Sequence, residues 1–139
     1  YAFSSISIFP HYLAYFNELI GGPKNGYKYV VDSNLDWGQD LKRLARFAEK
    51  NKINKIYVDY FGGGSAKYYL KDKYERWSGD RSPAELPKGS WLAISATFLS
   101  GGQGQPASNF NSPTGYYNWL KQYKPVEIIG YSIFVYQIN

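Results

Sequence analysis

The feature of this sequence that most constrains its fold is a regular alternation between strand-like and helix-like segments. Strand patterns cover 3–9, 27–31, 53–61, 90–98 and 126–138, and helix patterns cover 10–20, 36–50, 65–77 and 114–123. Strands that alternate with helices form right-handed βαβ units with parallel pairing. We therefore predict an α/β fold, with a single three-layer domain, a mostly parallel sheet and helices on both faces. Gly130-Tyr131 interrupts the last segment, which is either a C-terminal hairpin or one bulged strand.

The clearest helix pattern runs from Asp36 to Lys50. Asp36 and Gln39 have the spacing of a capping box at its start. Its apolar positions fall on one stripe, which is typical of a helix packed on a sheet. The residues expected to be buried there are Trp37, Leu41, Leu44 and Ala48.

Length and composition indicate one domain, because 139 residues with a hydrophobic share of 44% can bury a substantial core. Residues 21–139 are expected to form the soluble α/β domain, and residues 1–20 a juxtamembrane strand and helix packed on it. The segment 1–20 starts without Met and is too polar to span a membrane, so the chain is expected to be cut from a longer one. Ordinary core packing of this segment is the alternative to contact with a membrane surface or missing helices.

Charge and residue usage exclude several kinds of site. The net charge of +5 comes from scattered lysines and arginines, which does not favour a nucleic-acid partner. Weak attraction to a lipid surface fits better, and a merely solvated basic surface fits as well. Without cysteine, and with His11 as the single histidine, the chain has no thiolate or histidine-rich metal site. We therefore expect no cofactor and no metal in this domain.

A dense polar cluster covers 32–40, where a predicted strand leads into a predicted helix. Its candidate binding residues are Asp32, Asn34, Asp36, Trp37, Gln39 and Asp40. Ligands of α/β sheets bind at the carboxyl ends of strands, so the cluster is either a polar binding edge or a helix cap. The start of the cluster resembles a calcium loop, but Trp37 and Arg43 stand where that loop needs Gly and Glu.

A second strand-to-helix junction contains Gly62-Gly63-Gly64-Ser65. Its exposed amides could hold an anion, and the alternative is a flexible turn with Ser65 as the helix cap. The binding candidates here are Tyr60, Phe61, Gly63 and Ser65. Asp32, Asp36, Asp40 and Asp59 could supply a glycosidase pair, although their spacing fixes no separation across a sugar.

Several motifs of the chain resemble one known family. They are Pro10-His11-Tyr12-Leu13-Ala14-Tyr15-Phe16-Asn17-Glu18, Gly21-Gly22-Pro23, Gly26-Tyr27, the string Val31 to Leu41, Tyr60-Phe61-Gly62 and Gly130 to Tyr136. Together they resemble the C-terminal extracytoplasmic domain of prokaryotic family 39-type membrane glycosyltransferases, which are related to dolichyl-phosphate-mannose–protein mannosyltransferases. The resemblance covers most of the chain, but not 77–89 or 101–113.

The resemblance implies a parent protein in the cell membrane that takes a sugar from a polyprenyl-phosphate carrier. In that family the catalytic acid lies between early membrane helices, so no catalytic residue is carried over to this chain. The domain would lie on the extracytoplasmic side and shape the acceptor side or assist substrate binding. Its expected partners are the membrane-spanning part of the same chain, a lipid surface and a glycan or protein acceptor. The alternative is a non-catalytic glycan- or peptide-binding module, built from the aromatic and polar candidates named above.

Overall fold

The computed structural model describes residue 22, residues 37–104 and residues 113–139. Its helices are α1 (Leu41–Lys50), α2 (Ala66–Leu70) and α3 (Ala96–Gly102), and its strands are β1 (Ile56–Asp59), β2 (Tyr74–Arg76), β3 (Ser90–Ser95), β4 (Glu127–Ile129) and β5 (Ile133–Ile138). Three 3₁₀ turns cover Lys71–Lys73, Pro83–Glu85 and Asn118–Gln122. The predicted strand at 27–31 and the juxtamembrane segment 1–20 lie outside the described residues.

The described strands form one mixed sheet in the order β2-β1-β3-β5-β4. β1 is parallel to β2 and β3, whereas β5 is antiparallel to both β3 and β4. The prediction of a mostly parallel three-layer domain is therefore wrong. The cause is the C-terminal hairpin, because its two consecutive strands must be antiparallel and its longer strand pairs with β3 in the opposite direction.

The backbone of the turn at Gly130-Tyr131 decides whether 126–138 is a hairpin or one bulged strand. Gly130 and Tyr131 have φ of +58° and +67°, and the Ser132 N–H donates to the Ile129 carbonyl at 3.1 Å. Positive φ at both central residues is the pattern of a type I′ turn, whose twist matches that of the flanking strands. The segment is thus a hairpin rather than one bulged strand.

Helix α1 begins later than its sequence pattern predicts. Gly38 adopts φ of +101°, so residues 37–40 form a turn and the helix starts at Leu41. Leu41, Leu44 and Ala48 are fully buried, which confirms the predicted apolar stripe for these residues. Trp37 is 66% exposed, so the prediction that it is buried is wrong. The reason is that Trp37 precedes the first turn of the helix and does not share its apolar stripe.

Strand β2 takes the place of the second half of a predicted helix. Helix α2 ends at Leu70, and Lys71 turns the chain with φ of +51°. Tyr74–Arg76 then pairs with β1, with Tyr74 opposite Ile56 and Arg76 opposite Val58. The helix predicted over 65–77 is therefore correct only in its first turns.

Two apolar clusters lie on opposite faces of the sheet, because alternate residues of each strand point to opposite sides. In β5, Ile133 and Val135 join the cluster under α1 and α2, whereas Phe134 and Tyr136 join the cluster on the other face. The second cluster contains Trp77, Leu86, Leu99, Tyr117 and Leu120. No helix in the described part of the chain is both long enough and apolar enough to cross a membrane.

Candidate functional site

The three parallel strands end at the same edge of the sheet. Asp59, Arg76 and Ser95 are the last residues of β1, β2 and β3. A cavity of about 420 Å³ opens at this edge. It is lined by Val58, Asp59, Tyr60, Gly64, Ser65, Ala66, Lys67, Tyr74, Arg76, Trp77, Ser78 and Phe98. This is the position in which open α/β sheets bind ligands.

The glycine-rich junction forms one wall of the cavity. Two of the binding candidates named from the sequence, Tyr60 and Ser65, line the cavity. The Ser65 hydroxyl also caps α2, because it accepts the Tyr68 N–H at 3.3 Å. The Phe61 N–H donates to the Ser95 hydroxyl at 3.0 Å, which fixes the start of the junction to β3. The Phe61 ring packs edge-to-face on Phe98, with ring centres 5.6 Å apart. Phe61 therefore supports the wall without lining the cavity.

The described end of the polar cluster, residues 37–40, contacts the glycine-rich junction at residues 62–65 through backbone atoms. A Cβ at Gly38 would lie 3.1 Å from the Gly64 nitrogen, and one at Gly63 would lie 3.7 Å from the Trp37 carbonyl oxygen. Gly63 itself is exposed and lines no part of the cavity. Trp37 and Gln39 also lie outside the cavity wall, and the Gln39 carboxamide accepts the Trp37 N–H at 2.7 Å. Asp32, Asn34 and Asp36 lie outside the described residues.

Asp40, another predicted candidate, does not line the cavity and is buried within the fold. Its buried carboxylate contacts the Arg43 guanidinium and accepts the Ser132 hydroxyl at 2.7 Å. Gly130 leaves room for that carboxylate, because a Cβ there would lie 2.0 Å from its atoms. Asp40 thus ties the start of α1 to the β4–β5 turn.

Asp59 is the buried carboxylate of the cavity. The Tyr117 hydroxyl donates to Asp59 Oδ2 at 2.5 Å. Burial raises the pKa of Asp59, and the hydrogen bonds from Tyr117 and Gly79 offset part of that rise. Burial and the adjacent Asp59 raise the pKa of the Tyr117 hydroxyl, which therefore keeps its proton and remains a donor.

The remaining cavity residues combine cations with aromatic surface. Lys67 and Arg76 are exposed at the rim, while Tyr60, Tyr74 and Phe98 are half-buried. Sequence analysis missed the residues contributed by β2 and the loop after it, because that strand was predicted as helix. Asp59 was named only as one of four scattered carboxylates, although its position after a predicted strand is a signal for this edge.

Two other cavities among the described residues can be compared with this one. One of about 170 Å³ lies between α1 and Lys71–Lys73, and one of about 430 Å³ lies between Pro83, Trp119 and Ile138. Neither is lined by a buried ionisable side chain. The cavity at the strand ends is therefore the candidate site.

Among the described residues, no group of three or more His, Asp or Glu side chains is arranged to hold a metal ion. Comparisons of the chain with protein-family models, with characterised proteins and with solved structures gave no match.

Proposed function

We propose that this chain is the extracytoplasmic domain of a membrane glycosyltransferase that uses a polyprenyl-phosphate-linked sugar. In this proposal the domain binds the carbohydrate part of the acceptor in the cavity at the ends of β1, β2 and β3. The motifs at 10–41, 60–62 and 130–136 support the glycosyltransferase assignment through their resemblance to that family. The proposed partners are the membrane-spanning part of the same protein, the lipid surface and a glycan or protein acceptor.

The chemistry of the cavity supports a carbohydrate ligand. Sugar rings present C–H faces that pack on aromatic side chains and hydroxyls that need hydrogen-bond partners. The cavity offers aromatic surface from Tyr60 and Tyr74 beside the carboxylate of Asp59 and the guanidinium of Arg76. Its volume of about 420 Å³ falls in the usual range for small-molecule sites. This combination at one sheet edge is the observation that carries the proposal.

The proposed role of the domain is binding rather than bond making. In the resembled family the catalytic acid lies in a loop between early membrane helices, and no residue of this chain is matched to it. Holding an acceptor sugar in a fixed place would raise its effective concentration near that centre. The domain therefore contributes to the affinity and position of the acceptor.

Titration of the 139-residue chain with methyl α-D-mannoside, maltotriose and cellotriose, followed by amide chemical shifts, tests the proposal. We expect the shifts to concentrate at 59–67 and 74–78. Arg76→Gln should weaken binding about tenfold through loss of a charge-assisted hydrogen bond. Arg46→Gln is the matched control, because Arg46 is exposed on α1 away from the cavity and its loss should leave the affinity unchanged.

The absence of shifts at 59–67 and 74–78 at about 10 mM glycan would overturn the proposal, since a complex with a Kd of about 1 mM would be mostly formed. Equal loss of affinity in Arg76→Gln and Arg46→Gln would also contradict it, because the effect would then come from net charge alone. Shifts caused by an acceptor peptide, and by none of the three glycans, would replace the glycan with a peptide as the ligand.

A further inference from the structure

We propose that Asp59 is the residue that recognises the sugar, through hydrogen bonds from ligand hydroxyls to its carboxylate, and that Tyr117 is the positioning residue that holds it. This inference rests on the proposed function and names the group within the cavity that selects hydroxyl-rich ligands. It assigns to Tyr117, which lies outside the cavity wall, a role in binding as well as in the core.

The position of Asp59 in the sheet favours contact with a ligand. It is the last residue of β1, which lies between β2 and β3, so it stands at the middle of the parallel edge. Only 9% of the residue is exposed, and Asp59 is one of the residues that line the cavity. A carboxylate that is largely desolvated and yet faces a cavity gains more from a ligand donor than one in open water does.

The carboxylate of Asp59 is held rigidly but is not saturated with donors. The Tyr117 hydroxyl donates to one of its two oxygens, and a carboxylate has roughly four lone-pair positions, which leaves acceptor capacity for ligand hydroxyls. An ionised carboxylate accepts hydrogen bonds without donating any, so it favours ligands that present hydroxyl hydrogens. A neutral or hydroxyl-rich glycan fits this requirement.

Tyr117 is fixed by its own contacts. Its backbone N–H donates to the Gly102 carbonyl at 2.7 Å, and its ring lies so close to Gly102 that a Cβ there would be 2.4 Å from it. The side chain is fully buried. The hydroxyl therefore has little freedom to move, and the carboxylate that it contacts is preorganised for binding.

The charges around Asp59 set how its ionisation responds to pH. Arg76 on β2 favours the carboxylate, and Asp80 in the following loop opposes it. Burial and the charge of Asp59 together raise the pKa of Tyr116, which is next to Tyr117. Lys67 on α2 is a further charged residue that lines the same cavity. Burial outweighs these effects and raises the pKa of Asp59, whereas the Tyr117 hydrogen bond lowers it.

Substitution of the carboxyl group is the first test. With the same three glycans, Asp59→Asn should bind about tenfold more weakly than the unmodified chain, because a neutral amide accepts weaker hydrogen bonds than a carboxylate. Asp72→Asn is the control, since Asp72 is an exposed aspartate outside the cavity. Unchanged amide spectra away from the site show that each variant is folded.

The pH profile of binding separates a positioning role of Tyr117 from a purely structural one. Affinity should fall as the pH drops through the raised pKa of Asp59, and this dependence should disappear in Asp59→Asn. Tyr117→Phe keeps the buried ring but removes the hydrogen bond that lowers the Asp59 pKa, so the midpoint should move to higher pH. Tyr123→Phe, at a half-buried tyrosine outside this cavity, should leave the midpoint unchanged.

The outcomes distinguish this inference from the proposed function. If the chain binds a glycan at the cavity and Asp59→Asn binds equally well at every pH, the role of Asp59 is overturned and the proposed function stands. An unshifted midpoint in a folded Tyr117→Phe overturns the positioning role. If none of the three glycans causes shifts at the cavity, both proposals are overturned.

Discussion

Gly130 lies against the carboxylate of Asp40 so closely that no side chain fits between them. Its φ of +58° adds a backbone penalty for any other residue. Gly130→Ala should therefore lower the free energy of unfolding by about 2–5 kcal/mol, as the sum of a left-handed backbone penalty and the displacement of a buried group. Urea denaturation of the variant measures the loss.

Gly89 provides the matched control for that substitution. It also has a positive φ, of +82°, but a Cβ at this position would meet no atom within 4 Å. Gly89→Ala should therefore cost only the backbone penalty of about 1–2 kcal/mol. Equal losses in the two variants would show that the contact with Asp40 contributes nothing.

Single residues of the site were predictable where local chemistry decides their role. Ser65 was named both as a helix cap and as a binding candidate, and Asp59 as one of four carboxylates of interest. The role of Asp40 was not predictable, because its partner Ser132 is 92 positions away. The pairing of Asp59 with Tyr117 spans 58 positions. Such contacts depend on the tertiary fold, which local sequence patterns do not contain.

At the scale of elements, the start of α1 can be tested by comparing the stability of variants inside the helix and before it. Leu44 is fully buried, so Leu44→Ala should cost about 2–5 kcal/mol through lost burial and a residual cavity. Trp37 precedes the helix and is 66% exposed, so Trp37→Ala should change stability by no more than about 0.5 kcal/mol. Urea denaturation of both variants measures the difference. A large loss in Trp37→Ala would mean that the helix extends back to the predicted start.

Elements with strong periodic patterns were predicted, whereas β2 was predicted as helix and the start of α3 as part of the strand 90–98. β1, β3 and α1 each contain enough apolar residues in a regular order to be recognised from the sequence. β2 has only three residues, and they are half-buried or exposed at the edge of the sheet. Pairing with β1 makes this segment a strand, and no pattern within Tyr74–Arg76 indicates that pairing.

For the whole molecule, Asp59 makes stability depend on pH in a defined direction. Its pKa is raised in the folded state from the ordinary value of 3.8, so folding binds its proton more tightly. The stabilisation of the folded state that comes from this raised pKa is fully present below about pH 3.8, and it is lost as the pH rises through the raised pKa. Asp80 and Glu85 act in the opposite direction, because hydrogen bonds from Ser78 and Arg81 lower their pKa values.

Asp59→Asn removes the contribution of Asp59 to the pH dependence of stability, and the comparison with the unmodified chain shows the direction of that contribution. As the pH rises from about 3.5 to 7, the urea midpoint of Asp59→Asn should increase relative to that of the unmodified chain. A constant difference between the Asp59→Asn and unmodified midpoints would mean that burial does not shift the ionisation of Asp59.

The mixed sheet was beyond prediction because strand direction is decided by long-range pairing. The alternation of strands and helices predicted β1 and β3 and their parallel direction, but not β2 beside them. The interrupted segment 126–138 allowed two structures, and neither of them fixed the direction in which its last strand pairs with β3. The cavity therefore combines residues after the predicted strand β1 with residues of β2, which was not predicted.

The position of β5 has a consequence for how the protein is made. β5 follows the other described strands in the sequence, yet it lies between β3 and β4 and pairs with β3 over six residues. While the ribosome synthesises the chain, β3 therefore has an open edge until residue 138 has emerged. Open strand edges are prone to pairing with other chains. We expect the domain to complete its fold only after synthesis of β5, and a nascent chain paused before that strand to need protection from aggregation.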